Sequence, residues 1–295
     1  MNLLITGAWQ QASEYFETIL QMGHSVQFLQ HEKDDLPCSP EMVEGVICNG
    51  LFLYHHIEQF RNLRYIQLTS AGFDRVPMDY IKEHGIVIYN ARGVYSIPMA
   101  EFAVAGVLSL YKGLEQFHEN KKAHNWRKDR YLRELAGQTV VIVGCGSVGT
   151  ECARRFNAFG CKVVGVDIVV CEDPNYTVIV PLSQLDEKLS EADVVILTLP
   201  LTETTRGLID RRRLAFIHGV LVNIARGAIV DQAALEDWDG EAVIDVFENE
   251  PLAEDSSLWG KEKFIITPHN SFVGTGNQKR IKDVILSNLS NASML

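Results

Sequence analysis

No stretch of this 295-residue sequence reaches the ~18 consecutive apolar residues that a membrane helix needs. Residues 1–7 carry no basic segment ahead of a long apolar one, so neither a secretion signal nor a transit peptide is expected, and a cytoplasmic location is. Positive charge is scarce as well. Lys and Arg number 27 against 38 Asp and Glu, and the formal net charge of −11 repels phosphate backbones and anionic lipid surfaces, so neither nucleic acid nor membrane is expected as a partner. The six cysteines (Cys38, Cys48, Cys145, Cys152, Cys161, Cys171) form no C-x-x-C pair and are expected to be reduced, structural thiols, with no metal site. Gly and Pro, at 22 and 9, are not in excess, which excludes collagen-like and low-complexity chains.

What is present is alternation. Short β-rich runs take turns with helical stretches of about a dozen residues, the pattern of parallel sheets covered by helices, so the class is α/β. Single cores stop growing near ~250–300 residues, which makes two domains the expectation. Strands at Asn2–Thr6, Ser25–Leu29, Gly45–Cys48, 64–68 and 86–89, with a helix at 11–22 stopped by Gly23, make one small doubly wound domain. A long helix at 97–118, with Ser96 as its cap and Pro98 in its first turn, is expected to bridge to the second domain. The stretch 119–138 holds Trp126, Tyr131 and Leu135, too apolar for a solvated linker, and is expected to pack on another subunit. A stronger alternation follows, with strands at Thr139–Val143, Lys162–Asp167, 178–180, 194–199, 220–224, 242–246 and 264–267, and then a helical run at 278–289, after which no regulatory extension is expected. The expected division is 1–95 plus 271–295 as one domain and 96–270 as the other.

The apolar, β-branched run Thr139–Val143 feeds into Gly144-Cys145-Gly146-Ser147-Val148-Gly149 and a helix. This is G-x-G-x-x-G in the context it requires: a tight turn at the first glycine, backbone approach to a pyrophosphate at the second, and close helix-to-strand packing at the third. Asp167 closes the next strand at close to the ~20-residue spacing of a carboxylate that bonds the adenosine ribose hydroxyls. A strand–helix turn with a surface Asp would explain the glycines alone, but not where the acid falls. Asp167 favours NAD, because a 2′-phosphate would meet a carboxylate and Ile168 and Val169 provide no cation for it. Cys145 reads as a small filler residue.

Three further segments place a polar residue just past a strand, where ligands bind in open α/β sheets. Arg226 follows 220–224, Glu250 follows 242–246, and His269 follows 264–267. Arg can hold a substrate carboxylate in a two-pronged bond and neutralise charge growing on a carbonyl oxygen, which the point charge of Lys does less well. His can deliver or remove the proton of that oxygen. A neighbouring Glu fixes the ring and stabilises its cation. Singly, each has an ordinary structural explanation; jointly, beside a dinucleotide loop, they suit hydride transfer to a carbonyl next to a carboxylate.

At these residues the sequence resembles the D-isomer-specific 2-hydroxyacid dehydrogenases over nearly its whole length. The most specific pieces are Gly144–Gly149 with Asp167, Leu199-Pro200-Leu201-Thr202, Leu221-Val222-Asn223-Ile224-Ala225-Arg226-Gly227 with Ile229-Val230-Asp231, Asp245-Val246-Phe247 with Glu250-Pro251, and Thr267-Pro268-His269. The resemblance implies an NAD-dependent oxidoreductase that interconverts a small D-2-hydroxy acid and its 2-oxo acid. The implied fold is a flavodoxin-like substrate domain with a Rossmann NAD-binding domain. It implies that His269 is the acid/base, that Glu250 pairs with it, and that Arg226 binds substrate. Ser70, Ala71 and Gly72 would offer N–H groups to the substrate carboxylate across an interdomain cleft. Gly144, Gly146, Ser147, Val148, Gly149, Asp167, Pro200, Thr205, Ala225 and Asp245 would line the cofactor, Asp245 near the nicotinamide, where it influences the pH response. A homodimer joined through about 112–138 is also implied. Asn270-Ser271-Phe272 after the histidine departs from the usual family pattern, so the pocket beside it is expected to be unusual.

The loop 49–56 is apolar and aromatic, is expected to face the cleft, and has no cation near it except Lys33, which favours a small unphosphorylated 2-oxo acid unless Arg64, Arg75 or Arg92 enters. The alternative is a catalytically weak NAD-sensing or protein-binding module on the same fold; the joint presence of Arg226, Glu250 and His269 speaks against it. Formate oxidation is a second rival, and relatives with that activity carry Gln where Glu250 stands.

Overall fold

The computed structural model describes residues 1–292 and divides into two compact units, Met1–Tyr95 with the segment from Gly274 onward, and Ser96–Val273. In the first unit, β1 (Asn2–Thr6), β2 (Ser25–Leu29), β3 (Gly45–Cys48), β4 (Tyr65–Leu68) and β5 (Val87–Tyr89) form a parallel sheet in the order β2-β1-β3-β4-β5. That is the flavodoxin-like order, whose chain reverses direction between β1 and β3. The central strands β3 and β4 are buried along their whole length, as strands covered on both faces must be. One face packs on helix α1 (Phe16–Gln21) and on helix Asn277–Ala292, through Ile19, Ile281, Ile285 and Leu289. Ile81 of α2 (Met78–Glu83) belongs to the other face. The helix expected at 11–22 is split: Ala12–Tyr15 wind as a 3-10 turn, which brings the Tyr15 ring parallel to the buried Trp9 at 5.5 Å.

The second unit opens with α3 (Ser96–Tyr111) and α4 (Leu114–Lys122), where one helix over 97–118 was expected. The two are bent by 61° at Gly113, which takes a left-handed φ of 58°. The cause is burial. Ala100, Ala103, Val107 and Tyr111 of α3 are sealed in the core, whereas α4 buries no residue, so the chain turns where its apolar face ends. Ser96 is the first helical residue and not the cap; among the described residues its buried hydroxyl has no hydrogen-bond partner. In the stretch after α4, Leu135 joins the core while Trp126 and Tyr131 stand 97% and 92% exposed.

Strands β6 (Thr139–Val143), β7 (Lys162–Asp167), β8 (Val178–Pro181), β9 (Val194–Leu197), β10 (Val220–Asn223), β11 (Glu241–Ile244) and β12 (Phe264–Ile266) follow, with α5 (Ser147–Ala158), α6 (Leu185–Glu191), α7 (Arg211–Leu214) and α8 (Gln232–Asp237) among them. The order β12-β11-β10-β9-β6-β7-β8, all parallel, is the Rossmann order with one strand added. Alternate residues feed two cores: Val141, Val143, Val195 and Leu197 face one side, Val140, Ile142, Val194 and Ile196 the other. All six cysteines are free; Cys48, Cys152 and Cys161 are buried, whereas Cys171 is exposed on the loop after β7. Among the described residues no single helix is long and apolar enough to cross a membrane.

Candidate active site

The chain reverses direction in the second sheet between β6 and β9, and the glycine loop lies there. Gly144 leaves β6 with its N–H on the carbonyl of Val166, while Thr198, just past β9, donates its hydroxyl to the Gly144 carbonyl at 2.5 Å. A Cβ at Gly149 would overlap that same carbonyl, so α5 can approach β6 this closely only with glycine there. At Gly146, by contrast, a Cβ would meet nothing within 4 Å. This open space at the start of the twelve-residue helix α5 is where backbone N–H groups and the helix dipole favour an anion, so the loop fits a dinucleotide's pyrophosphate. Ser147 and Val148, in the first turn, are half-buried.

Asp167 ends β7 with its carboxylate accepting from Cys145 N–H at 2.6 Å and Val169 N–H at 2.9 Å. It is therefore a clamp on the glycine loop as well as the acid that ends β7. The Cys145 side chain fills the space over Gly165, where a Cβ would come within 2.5 Å of its sulfur, and burial pushes its thiol up to about 12. It stays a protonated packing group. Pro200 is exposed past β9, and its carbonyl accepts from the Thr205 hydroxyl at 2.7 Å, which fixes the loop between them. Replacing Asp167 with Ala is expected to raise the KM for NADH and to narrow the preference over NADPH. Steady-state kinetics with both cofactors check this, and a variant that still strongly rejects NADPH would place the discriminating group elsewhere.

Past β10, β11 and β12 the three expected reactive side chains are gathered in one unit. Asn223, the last residue of β10, accepts from Ala225 N–H and donates its amide to the Arg226 carbonyl, both at 3.1 Å, shaping the turn that carries the guanidinium. Arg226 donates to the Ala225 carbonyl at 2.8 Å. A Cβ at Gly227 would overlap the backbone of Phe247 and Glu248, so this turn lies directly on the segment that leads to Glu250. The Glu250 carboxylate accepts from Phe247 N–H at 3.1 Å and from His269 Nδ1–H at 2.8 Å. With Nδ1 engaged, the opposite nitrogen, Nε2, is the one open to a substrate. His269 adopts a left-handed φ of 50°, and its ring meets Phe272 edge-on at 5.8 Å.

Asp245 is the least exposed acid of this group. Fully buried, its carboxylate accepts from the Thr267 hydroxyl at 2.7 Å, Asn270 N–H at 2.7 Å and Ser271 N–H at 2.9 Å, and its carbonyl accepts from His269 N–H at 2.8 Å. These bonds tie the residues through Ser271 to the seven-stranded unit. Burial this deep makes Asp245 a holder of the His269 segment.

In the five-stranded unit, Ser70, Ala71 and Gly72 follow β4, and among the described residues their N–H groups donate no hydrogen bond. Their carbonyls are taken: Ser70 O accepts from Ala91 N–H at 2.8 Å and Ala71 O from the Asn90 side-chain amide at 2.5 Å. Asn90 also accepts from Arg92 N–H at 3.2 Å, so it holds the Ser70–Gly72 turn by its back. Nothing in its surroundings along the sequence singled it out; an Asn just past a strand was the available signal. Of the apolar loop 49–56, Leu51 is core and Phe52 packs edge-on against Phe60 at 5.9 Å, while Leu53 and Tyr54 are exposed. Arg64 does not enter this loop: it precedes β4 at the far end of the sheet and pairs with Glu44 at 3.0 Å.

The family model of the NAD binding domain of D-isomer specific 2-hydroxyacid dehydrogenases matches residues 104–271. An (S)-sulfolactate dehydrogenase from Chromohalobacter salexigens is 33% identical over 80% of this chain and 79% of its own. A D-3-phosphoglycerate dehydrogenase from Archaeoglobus fulgidus is 32% identical over 72% of this chain, which spans only 42% of that protein. Among solved structures, a D-lactate dehydrogenase from Aquifex aeolicus, complexed with NAD and lactic acid, superposes with a TM-score of 0.82 at 26% identity, covering 99% of this chain and 96% of that one.

Proposed function

Because the chain belongs to the D-isomer specific 2-hydroxyacid dehydrogenases and is an NAD-dependent oxidoreductase of that family, we propose that it reduces a small 2-oxo acid to the D-2-hydroxy acid, and runs the reverse, with His269 as acid/base. The observation that carries this is the 2.8 Å bond from His269 Nδ1–H to Glu250, in the unit that also holds the glycine loop and Arg226. Two similar proteins are named for acids with a second anionic group, sulfolactate and 3-phosphoglycerate, and one for lactate, which has none.

Bound NADH supplies the hydride. Arg226 grips the substrate and neutralises the charge that grows on its carbonyl oxygen. His269 holds a proton at Nε2 and passes it to that oxygen, and Glu250 stabilises the cation before transfer and fixes the ring plane. On the five-stranded unit, the N–H groups of Ser70, Ala71 and Gly72 take the substrate carboxylate. Gly144, Gly146 and Gly149, with Ser147 and Val148, hold the pyrophosphate; Asp167 takes the adenosine ribose; Pro200, Thr205 and Ala225 border the cofactor. The protein works in the cytoplasm as a homodimer. The support for the dimer is the arm after α4, where the exposed Trp126 and Tyr131 lie among Arg127, Lys128 and Arg130, a cationic aromatic segment on a chain of net charge −11.

A panel of 2-oxo acids with NADH, followed by the loss of absorbance at the dihydronicotinamide band, tests the proposal. Turnover of glyoxylate, pyruvate or hydroxypyruvate to the D-product is the expected result. NADH binding without turnover of any member would favour the sensing module.

A further inference from the structure

The five-stranded sheet also reverses direction, between β1 and β3, and ligands of such sheets sit at the strand ends beside that point. Here the position is taken by a side chain of the protein itself. Glu32, in the loop after β2, reaches across β1. Its carboxylate accepts from Asn49 N–H at 2.6 Å and Gly50 N–H at 2.7 Å, successive amides past β3, and from the Thr6 hydroxyl at 2.9 Å at the end of β1. Its own carbonyl accepts from His55 Nε2 at 2.9 Å. Two successive N–H groups turned on one anion make the kind of seat that binds phosphate in other folds. We propose that Glu32 is a specificity-determining residue: by filling this seat with a fixed negative charge, it restricts the enzyme to 2-oxo acids that carry no anionic group beyond the reacting carboxylate.

The inference rests on the 2-oxo acid reductase reading and deepens it. The carboxylate-binding turn, Ser70, Ala71 and Gly72, follows β4, the neighbour of β3, and Thr69 N–H bonds the Cys48 carbonyl at 2.8 Å where the two chains leave the sheet. Strands stand ~4.8 Å apart, so a substrate held at that turn lies within about 10 Å of the Glu32 carboxylate. The loops that follow β2, β4 and β5 carry the cations Lys33, Arg75 and Arg92. Lys33 is exposed, and Arg92 lines a hollow of about 540 Å³ shared with Asp283. Arg75 lays its stem over Gly50, where its Cδ and a Glu32 oxygen both stand 3.5 Å from a Cβ built on that glycine. Among the described residues no ion pair or hydrogen bond joins the Arg75 guanidinium to Glu32, whose carboxylate is held by the Thr6, Asn49 and Gly50 donors alone.

The test compares kcat/KM for glyoxylate and pyruvate with that for sulfopyruvate and 3-phosphohydroxypyruvate, in the full chain and in Glu32→Gln and Arg75→Gln. The full chain is expected to favour the singly charged acids. Glu32→Gln should narrow that preference by about threefold for the sulfonate and about tenfold for the doubly charged phosphate, the effect of one unit charge at ~10 Å through a medium of effective dielectric ~50. Should Glu32→Gln not fold, raising the salt from ~0.02 to ~0.5 M must narrow the same ratio in the full chain, since screening weakens the repulsion. An equal loss for all four acids in Glu32→Gln would reduce Glu32 to a loop staple and overturn the proposal. A full-chain preference for the phosphorylated or sulfonated acid, abolished in Arg75→Gln, would overturn it and make Arg75 the ligand. No turnover of any 2-oxo acid would remove the underlying reading as well.

Discussion

Replacing His269 with Asn is expected to lower kcat for 2-oxo acid reduction by about 10²–10⁴, the usual contribution of a positioned general acid, while the affinity for NADH changes little. Asn is the informative replacement because His269 holds a φ of 50°, a conformation that Asn enters far more readily than most residues. The backbone is therefore spared, and lost turnover reports lost proton transfer. Glu250 is left without the ring N–H it bonds at 2.8 Å, but it stays partly solvated and keeps the Phe247 N–H, so the segment holds its shape. Stopped-flow binding of NADH and steady-state turnover together separate the two effects. Unaltered turnover would take the histidine out of the mechanism; equal losses in NADH affinity and turnover would make it a cofactor contact.

Strands buried on both faces were the most legible part of the chain. Val140, Val141, Ile142 and Val143 read as one apolar run because both neighbouring layers demand it, and the glycine turn that follows has a spacing few other structures require. The single helix expected over 97–118 failed because apolar periodicity does not record where a core ends: Tyr111 is its last buried residue, and Gly113 lets the chain leave. Arg226, Glu250 and His269 could be named because each follows a recognisable strand. Glu32 could not, since it stands in His31-Glu32-Lys33-Asp34-Asp35, a charge run that reads as solvated until β1 and β3 are seen to bring Thr6, Asn49 and Gly50 to it. The function of such residues comes from strand order, which pairs β1 with β3 across intervening sequence, and no local pattern encodes it.

Strand order also explains why the second large effect is expected at Asp245, which touches no reacting atom in this arrangement. It sits just past β11, between β10 and β12, and joins what those strands carry. Toward β10, its N–H bonds the Asn223 carbonyl at 3.0 Å, and Asn223 shapes the Arg226 turn; toward β12, its carboxylate takes Thr267, Asn270 and Ser271, with His269 between them. Asp245→Ala leaves three donors without their acceptor, two of them backbone N–H groups that no side-chain rotation can redirect. Each buried orphan costs about 1–3 kcal/mol, so a loss of about 3–5 kcal/mol is expected, read as a lower urea midpoint for the unfolding of the Ser96–Val273 unit. Asp245→Asn keeps one carbonyl oxygen but turns an NH2 toward a donor, and should fall between. Because the left-handed turn at His269 is held by these bonds, kcat in either variant should drop further than NADH affinity. An Asp245→Asn protein with full stability and a changed NADH affinity would instead make this carboxylate a direct partner of the cofactor.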